Sequence, residues 1–334
     1  MYKVGIIGCG AIFGRHVDVI NKNENFSLIS VCDIDTDKIT QIKENLKIPA
    51  YYSYKKMIES EDINFAVIAS PNSYHTDQAI YALENNCDVL IEKPVAFSEK
   101  DVKKIASVAQ KNNRKAYCVL QVRLNETVLF LENLLKNKTL GDIRGVSLVQ
   151  RWQRPLDYFS GWRNDPKVGG GSLYEVGIHY IDIMQKLLGI PKVVATKTYK
   201  TKHVNSNIED TVYSIIDYGD FGGNIEVNVS SEPENLECSL TILGSDGFIK
   251  LGGKAMDKIE SFGFLNKSLE SIMSLQIDAI NNRDSKFNNY GTHLGSCPNH
   301  AGVYTNLDLF DIAQASNAVS IIEEIYSKSE ISYV

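Results

Sequence analysis

The stretch VGIIGCGAIF, residues 4–13, leaves this chain few folds to choose from. Residues 3–7 read as a short buried strand, Gly8-Cys9-Gly10 as a tight turn, and 11–21 as a helix. A second apolar strand over 26–32 ends at Asp33. Strand, glycine turn, helix, strand and acid together describe a right-handed crossover. The N–H groups at the start of its helix have no partner within the helix and suit a dinucleotide pyrophosphate. Gly8, Gly10, Ala11, Ile12 and Phe13 are expected to line that turn. The match to G-x-G-x-x-G is imperfect, with Phe13 at the third position and Gly14 after it. A carboxylate at Asp33 would accept from ribose hydroxyls and repel a 2′-phosphate, which favours NAD over NADP. Asp35 and Asp37 either add to that negative charge or begin a helix.

The same rhythm continues. Residues 54–59 and 75–85 read as helices, and 65–69, 88–91 and 117–122 as strands. In doubly wound sheets ligands lie beyond the carboxyl ends of the strands. Ser70, Pro71, Asn72 and His75 follow one such end, Glu92 and Lys93 a second, and Gln121 a third, so all are expected to face the cofactor. Lys93 stands where chemistry would occur, and Pro94 biases it to an extended shape compatible with a cis bond. Ser98, with Asp101 three residues on, reads as a helix cap.

A chain of 334 residues is long enough for two domains, divided here as 1–122 and 123–334. A formal charge of −6 does not favour nucleic acid or anionic membrane as partner. The six cysteines contain no C-x-x-C pair and read as reduced, buried thiols of a cytoplasmic protein. No apolar run is long enough to span a bilayer, and the glycine-broken start reads as a strand, not a signal peptide.

Beyond Arg123, residues 127–136 form an amphipathic helix and 143–152 an alternating strand. The segment RPLDYFSGWRNDPKVGGG mixes aromatics, arginines and turn formers. Aromatic faces pack sugar rings and arginine forks suit carboxylates or phosphates, so Tyr158, Trp162 and Arg163 are expected at the substrate. Next comes GGGSLYEVGIHYID, residues 169–182. Helical spacing puts Glu175, His179 and Asp182 near one face, a row suited to proton transfer at neutral pH, with Gly177 letting a ligand approach. Ser172 and Glu175 also match a capping box, which would turn Glu175 back onto the Ser172 backbone; both readings stand. Five strands (194–199, 211–218, 223–229, 239–243 and 248–250) separated by glycine turns suggest an open, mostly antiparallel sheet in an α+β domain. Helices are expected over 269–281 and 307–328. His293, Cys297 and His300 fit no common metal-ligand spacing, so no metal is expected.

The order and spacing of GCGAIFGRH, VCDID, VIASPNSYH, VLIEKPVAFS, QVRLNE, LGDI, GGGSLYEVGIHYID and IEDT resemble the glucose–fructose oxidoreductase / inositol dehydrogenase / MocA family. The resemblance implies an α/β enzyme with an N-terminal Rossmann domain and an NAD-dependent hydride transfer at a sugar, inositol or nucleotide-sugar carbon. It implies His179 as proton acceptor, Lys93 as holder of the alcohol oxygen, and Asp182 or Glu175 as orienting carboxylate, at a site between the domains. Arg123 and Tyr304 join the implied substrate contacts, and homodimers or homotetramers form through the free sheet face. Residues 158–171 and His300-x-x-Val303-Tyr304 further resemble the UDP-N-acetylglucosaminuronate 3-dehydrogenase group of surface-polysaccharide synthesis, where asparagine is usual at the Glu175 position. Free-sugar or inositol oxidation, and a non-catalytic dinucleotide-binding regulator, are the alternatives.

Overall fold

In the computed structural model, which describes residues 1–329, the chain divides into two units. The first comprises Met1–Leu120 and His300–Val319; the second comprises Gln121–Asn299 and the residues from Ser320.

The first unit is built on a parallel six-stranded sheet. Its strands are β1 (Tyr2–Ile7), β2 (Phe26–Cys32), β3 (Ala50–Tyr51), β4 (Phe65–Ile68), β5 (Asp88–Ile91) and β6 (Ala116–Cys118), in the order β3-β2-β1-β4-β5-β6. That order is the doubly wound one, and it reverses between β1 and β4. The connecting helices are α1 (Phe13–Asn21), α2 (Thr36–Leu46), α3 (Tyr54–Ser60), α4 (His75–Glu84) and α5 (Glu99–Lys111). All four residues of β4 are buried, as expected of a strand covered on both faces. The cap at α5 is present: Ser98 Oγ accepts from Asp101 N at 3.1 Å. β3 was not anticipated, and α2 begins where a helix start was one of the two readings of Asp35 and Asp37. The Asp35 side chain accepts from the N–H groups of Asp37 and Lys38, so part of the acidic cluster is the start of α2.

Residues 300–319 were expected in the second domain and instead belong to the first unit. The Tyr304 ring packs 5.0 Å from Phe26, its hydroxyl lies 2.8 Å from His16 Nδ1, and Asp311 bridges to Tyr117 of β6. Long-range burial of this kind leaves no local signal in the sequence.

The second unit holds α6 (Glu126–Lys136), β7 (Ile143–Arg151), the short α7 (Pro166–Gly169), a π-helical turn (Leu173–Gly177) and α8 (Ile178–Leu188). There follow β8 (Lys192–Tyr199), β9 (Thr211–Asp217), β10 (Gly222–Asn228), β11 (Glu237–Gly244), β12 (Gly247–Gly252), β13 (Lys258–Phe264) and α9 (Lys267–Asn281). The seven strands lie in the order β13-β12-β11-β7-β10-β9-β8, antiparallel throughout except β7 with β10. β13 was not expected; the sequence reading ended the sheet at residue 250. One face is covered: Val146, Leu148 and Gln150 of β7 are buried, and Gln150 Nε2 reaches Val176 O beside α8. On the other face Tyr213, Ile215, Leu243 and Phe248 are exposed. The expected helix over 307–328 is broken into a 3₁₀ turn, Leu307–Phe310, and the helix Ile312–Ser327.

All six cysteines are buried and none is in a disulfide among the described residues, and burial pushes Cys9 and Cys32 up to about 12, so these two thiols stay protonated. Among the described residues no helix is long and apolar enough to cross a membrane.

Candidate active site

In the first unit the glycine turn has the shape a pyrophosphate needs. Gly8 sits at φ +99°, and a Cβ there would lie 2.5 Å from the Ala69 carbonyl at the end of β4. No side chain fits between the two strand ends. Gly10 has open space where its Cβ would point. The α1 N-terminus carries no side-chain cap and no acid in its first turn. Among the described residues the N–H groups of Ala11 and Ile12 have no protein acceptor. Unfilled donors, an uncapped helix start and a bare glycine fit the dinucleotide pyrophosphate. Asp33 braces the turn: its Oδ2 accepts from Cys9 N at 2.7 Å and its Oδ1 from Asp35 N at 2.9 Å. Each oxygen keeps a second lone pair for a ribose hydroxyl.

The ends of β4 and β5 are tied together. Ser70 Oγ donates to Gln78 Oε1 at 2.6 Å. Buried His75 lies with Nε2 2.8 Å from Ser70 O and Nδ1 2.7 Å from Pro94 O. His75 is thus a strap between Ser70 and the Lys93–Pro94 peptide, which is cis; Asn72 is buried beside it and Pro71 half-buried. Glu92, expected at the cofactor, has its carboxylate engaged within the protein. Oε1 lies 3.0 Å from His16 Nε2 and 3.6 Å from His300 Nε2, and Oε2 accepts from Lys93 N at 3.2 Å. Burial acts to raise its pKa, but the bonds from His16 and His300 outweigh burial and hold the carboxyl well below its usual range. The other ring nitrogen of His16 meets the Tyr304 hydroxyl. Tyr304, expected at the substrate, is buried in this cluster, and its hydroxyl is taken. The pairing of His16 and His300 with Glu92 carries no signal in the sequence because the partners lie far apart in it.

In the second unit the capping box does not form. Ser172 N and Oγ both donate to Glu209 Oε1, at 2.8 and 2.6 Å, and Tyr326 Oη donates to the same oxygen at 2.7 Å. Glu209, of the IEDT segment, therefore does the work expected of Glu175. Gly171, at φ +99°, would place a Cβ 2.3 Å from Tyr326 Oη, so the last glycine of the triplet is required by this junction.

The backbone then makes its π-turn, a wider coil that breaks the 3.6-residue period behind the expected single row. Glu175 is buried and accepts from Arg163 Nε at 3.0 Å. His179 is 5 % exposed in the first turn of α8. Asp182, expected to orient His179, is fully buried and held by Arg123 Nε at 2.7 Å, Arg123 Nη2 at 2.6 Å and Gln185 Nε2 at 3.0 Å. Arg123, expected at the substrate, is 4 % exposed and is the other half of this bidentate pair. A Cβ on Gly177 would meet Val227 of β10 at 3.2 Å, so this glycine admits the sheet and not a ligand. Gln121 Nε2 donates to Ser296 Oγ at 3.0 Å, while its buried Oε1 has no hydrogen-bond partner among the described residues and can receive a ligand N–H.

Tyr158, Trp162 and Arg163 do come together. The Arg163 guanidinium lies 4.4 Å from the Trp162 ring and 5.4 Å from the Tyr158 ring, and all three are half-buried. Planar rings and a guanidinium in one cluster suit a sugar face and an anionic group.

Comparison with known proteins agrees with this geometry. Residues 2–120 match the family model described as oxidoreductase family, NAD-binding Rossmann fold, and residues 128–250 match the GFO/IDH/MocA C-terminal domain. Glucose-6-phosphate 3-dehydrogenase of Bacillus subtilis is 27 % identical over 259 residues, 73 % of this chain and 72 % of the relative. The WlbA dehydrogenase of Chromobacterium violaceum, solved with NADH and UDP-GlcNAcA, superposes with a TM-score of 0.85 at 25 % identity, covering 98 % of this chain and 93 % of that one. The WlbA dehydrogenase of Bordetella pertussis, in complex with the same two molecules, shares the fold at a TM-score of 0.83 and 23 % identity, over 98 % and 96 % of the two chains. With both halves matched, the chain belongs to the Gfo/Idh/MocA oxidoreductases and is an NAD-dependent enzyme of that family.

Proposed function

We propose that this enzyme oxidises a secondary hydroxyl of a nucleotide-linked amino sugar or uronate, as a UDP-N-acetylglucosaminuronate 3-dehydrogenase would in surface-polysaccharide synthesis. The observation that carries this reading is the Tyr158–Trp162–Arg163 cluster, held to Glu175 just ahead of buried His179. The likeness to the WlbA dehydrogenase over 98 % of the chain supports it. Bound NAD supplies the hydride-accepting carbon. The His179 imidazole takes the hydroxyl proton. The Lys93 ammonium steadies the negative charge that grows on the alcohol oxygen, and a donor already in place needs no reorganisation to do so. The Glu92 carboxylate fixes the Lys93 backbone through its N–H. Oxidation of a free or phosphorylated sugar, or of an inositol, is the second reading, favoured by the Bacillus subtilis relative and by the inositol 2-dehydrogenase of Salmonella typhimurium, 26 % identical over 197 residues.

Absorbance of reduced nicotinamide separates these readings. With NAD, UDP-N-acetylglucosaminuronate is expected to exceed glucose 6-phosphate and myo-inositol in kcat/KM by at least about tenfold, a 1.4 kcal/mol preference. NADP is expected to be the poorer acceptor because of Asp33. Turnover of inositol or glucose 6-phosphate alone selects the second reading. NAD binding with no turnover of any compound points to a regulator.

We also propose that the open sheet face joins copies of the chain as a homodimer or homotetramer. It carries exposed Tyr213, Ile215, Leu243 and Phe248, and the ion pairs of Arg151 with Glu226 and Glu237 at the C-terminal end of β7. Exposed apolar residues beside a polar group suit an isologous contact between copies. Ile215→Arg is expected to lower the mass measured by light scattering; a wild-type mass equal to one chain overturns the assignment.

A further inference from the structure

Three arginines lie at or near the end of β7 and just before α6, and two of them are paired. Arg123 has Asp182, and Arg151 has Glu226 and Glu237. Arg154 differs. It is 2 % exposed, and among the described residues no carboxylate lies within ion-pair distance. Its Nη1 donates to Gln153 O at 2.6 Å, to Leu294 O at 3.2 Å and, at 3.5 Å, to Asn235 Oδ1. Its buried Nε has no hydrogen-bond partner among the described residues. The Trp152 and Tyr158 rings lie 4.7 and 5.3 Å from its Cζ. Ring faces and carbonyl dipoles attract a cation, but they do not neutralise it. A buried charge without a counter-ion is unfavourable, and an anion brought by a ligand relieves it.

The surroundings point the same way. Tyr158 is shared: Arg163 lies 5.4 Å from the same ring, and the His293 ring stands edge-on at 5.3 Å. Glu175 offsets the charge of Arg163, which leaves one guanidinium in surplus. His293 is pushed down to about 4 by burial and by the two nearby arginines, with Asp157 opposing, so it is neutral at physiological pH; its Nδ1 meets Thr292 Oγ1 at 3.0 Å, which leaves Nε2 as the hydrogen-bonding atom toward a ligand.

We propose that Arg154, with Arg163 and His293 around the Tyr158 ring, seats an anionic group of the substrate, a carboxylate or a phosphate. The inference rests on the sugar-dehydrogenase reading and deepens it: Arg154 makes anionic sugars preferred over their neutral counterparts. Arg154 was not among the expected substrate contacts, because a single arginine before a proline carries no sign of burial in the sequence.

The test is calorimetric titration of the NADH-saturated protein with two pairs of probes. UDP-N-acetylglucosaminuronate against UDP-N-acetylglucosamine isolates the carboxylate, and glucose 6-phosphate against glucose isolates the phosphate. Wild-type protein is expected to prefer the anionic member of at least one pair by about tenfold or more. Arg154→Met should abolish that preference, and Arg154→Lys should keep part of it, with NADH affinity unchanged in both. Loss confined to the uronate identifies a carboxylate seat; equal loss for every phosphate-bearing probe identifies a phosphate seat. If Arg154→Met does not fold, His293→Glu provides the test. Its carboxylate would act as a built-in counter-ion and should weaken the preferred anionic probe by about tenfold. Affinities within about twofold of wild type in the folded variant overturn the proposal. So does a wild-type protein that does not distinguish the members of either pair, whereas oxidation of a neutral sugar by that same protein would leave the dehydrogenase reading standing.

Discussion

His179→Ala is expected to lower kcat by about 10²–10⁴-fold, the usual worth of a positioned acid or base. His179 is buried in the first turn of α8, so bulk water cannot readily take its place. The groups expected to bind the dinucleotide pyrophosphate and ribose, from the glycine turn to Asp33, belong to the first unit, whereas His179 belongs to the second. NADH affinity should therefore stay within about twofold, and the loss should fall on kcat. Lys93→Met should cost about 10²–10³-fold in kcat, the scale of losing one preorganised donor to a developing oxyanion. Steady-state kinetics combined with NADH fluorescence titration would separate the two effects. Full turnover in either variant would sink the assigned roles, and a matching loss of NADH affinity would show damage to the cofactor site instead.

Asp182→Ala should act on stability. It takes the Asp182 carboxylate away from the buried Arg123 guanidinium. Breaking one side of a buried ion pair costs about 3–5 kcal/mol. For a unit of this size that corresponds to a fall of roughly 10 °C in melting temperature. Replacing both charges, as Arg123→Met with Asp182→Leu, should recover much of the loss, because the desolvation cost of the pair disappears with it. Thermal denaturation of the single and double variants decides the matter. A single variant that melts within about 2 °C of wild type would show that the pair contributes little. The Asp182 carboxylate, expected to orient His179, is held by the Arg123 fork and by Gln185.

The elements that were legible in the sequence are those whose causes are local. The strand–glycine–helix start is one, because Gly8 is forced by the close approach of Ala69 and its positive φ. The apolar runs of β4 and β5 are another, since a strand buried on both faces needs no partner to be recognised. Ser98 capped its helix as expected. β3, with two residues, was too short to show a period, and β13, with Gly263 and charged Lys258 and Glu260, carries too weak an apolar alternation.

The site shows the same division. Residue types and spacing by themselves determined the dinucleotide crossover, the aspartate after β2, the Glu92-Lys93-Pro94 turn at a strand end, and a histidine on the helix after three glycines. Partner choice among buried charges was decided only by tertiary structure. Glu175 took Arg163 and left Ser172 to Glu209, Asp182 took Arg123, Glu92 took His16 and His300, Tyr304 turned inward to His16, and Arg154 was left with no acid among the described residues. The physical reason is range. A cap, a turn or an apolar period acts over a few residues and is written in the local sequence. The energy of a buried ion pair depends on which chain segments, here from 12 to more than 200 residues apart, the packing brings within about 4 Å.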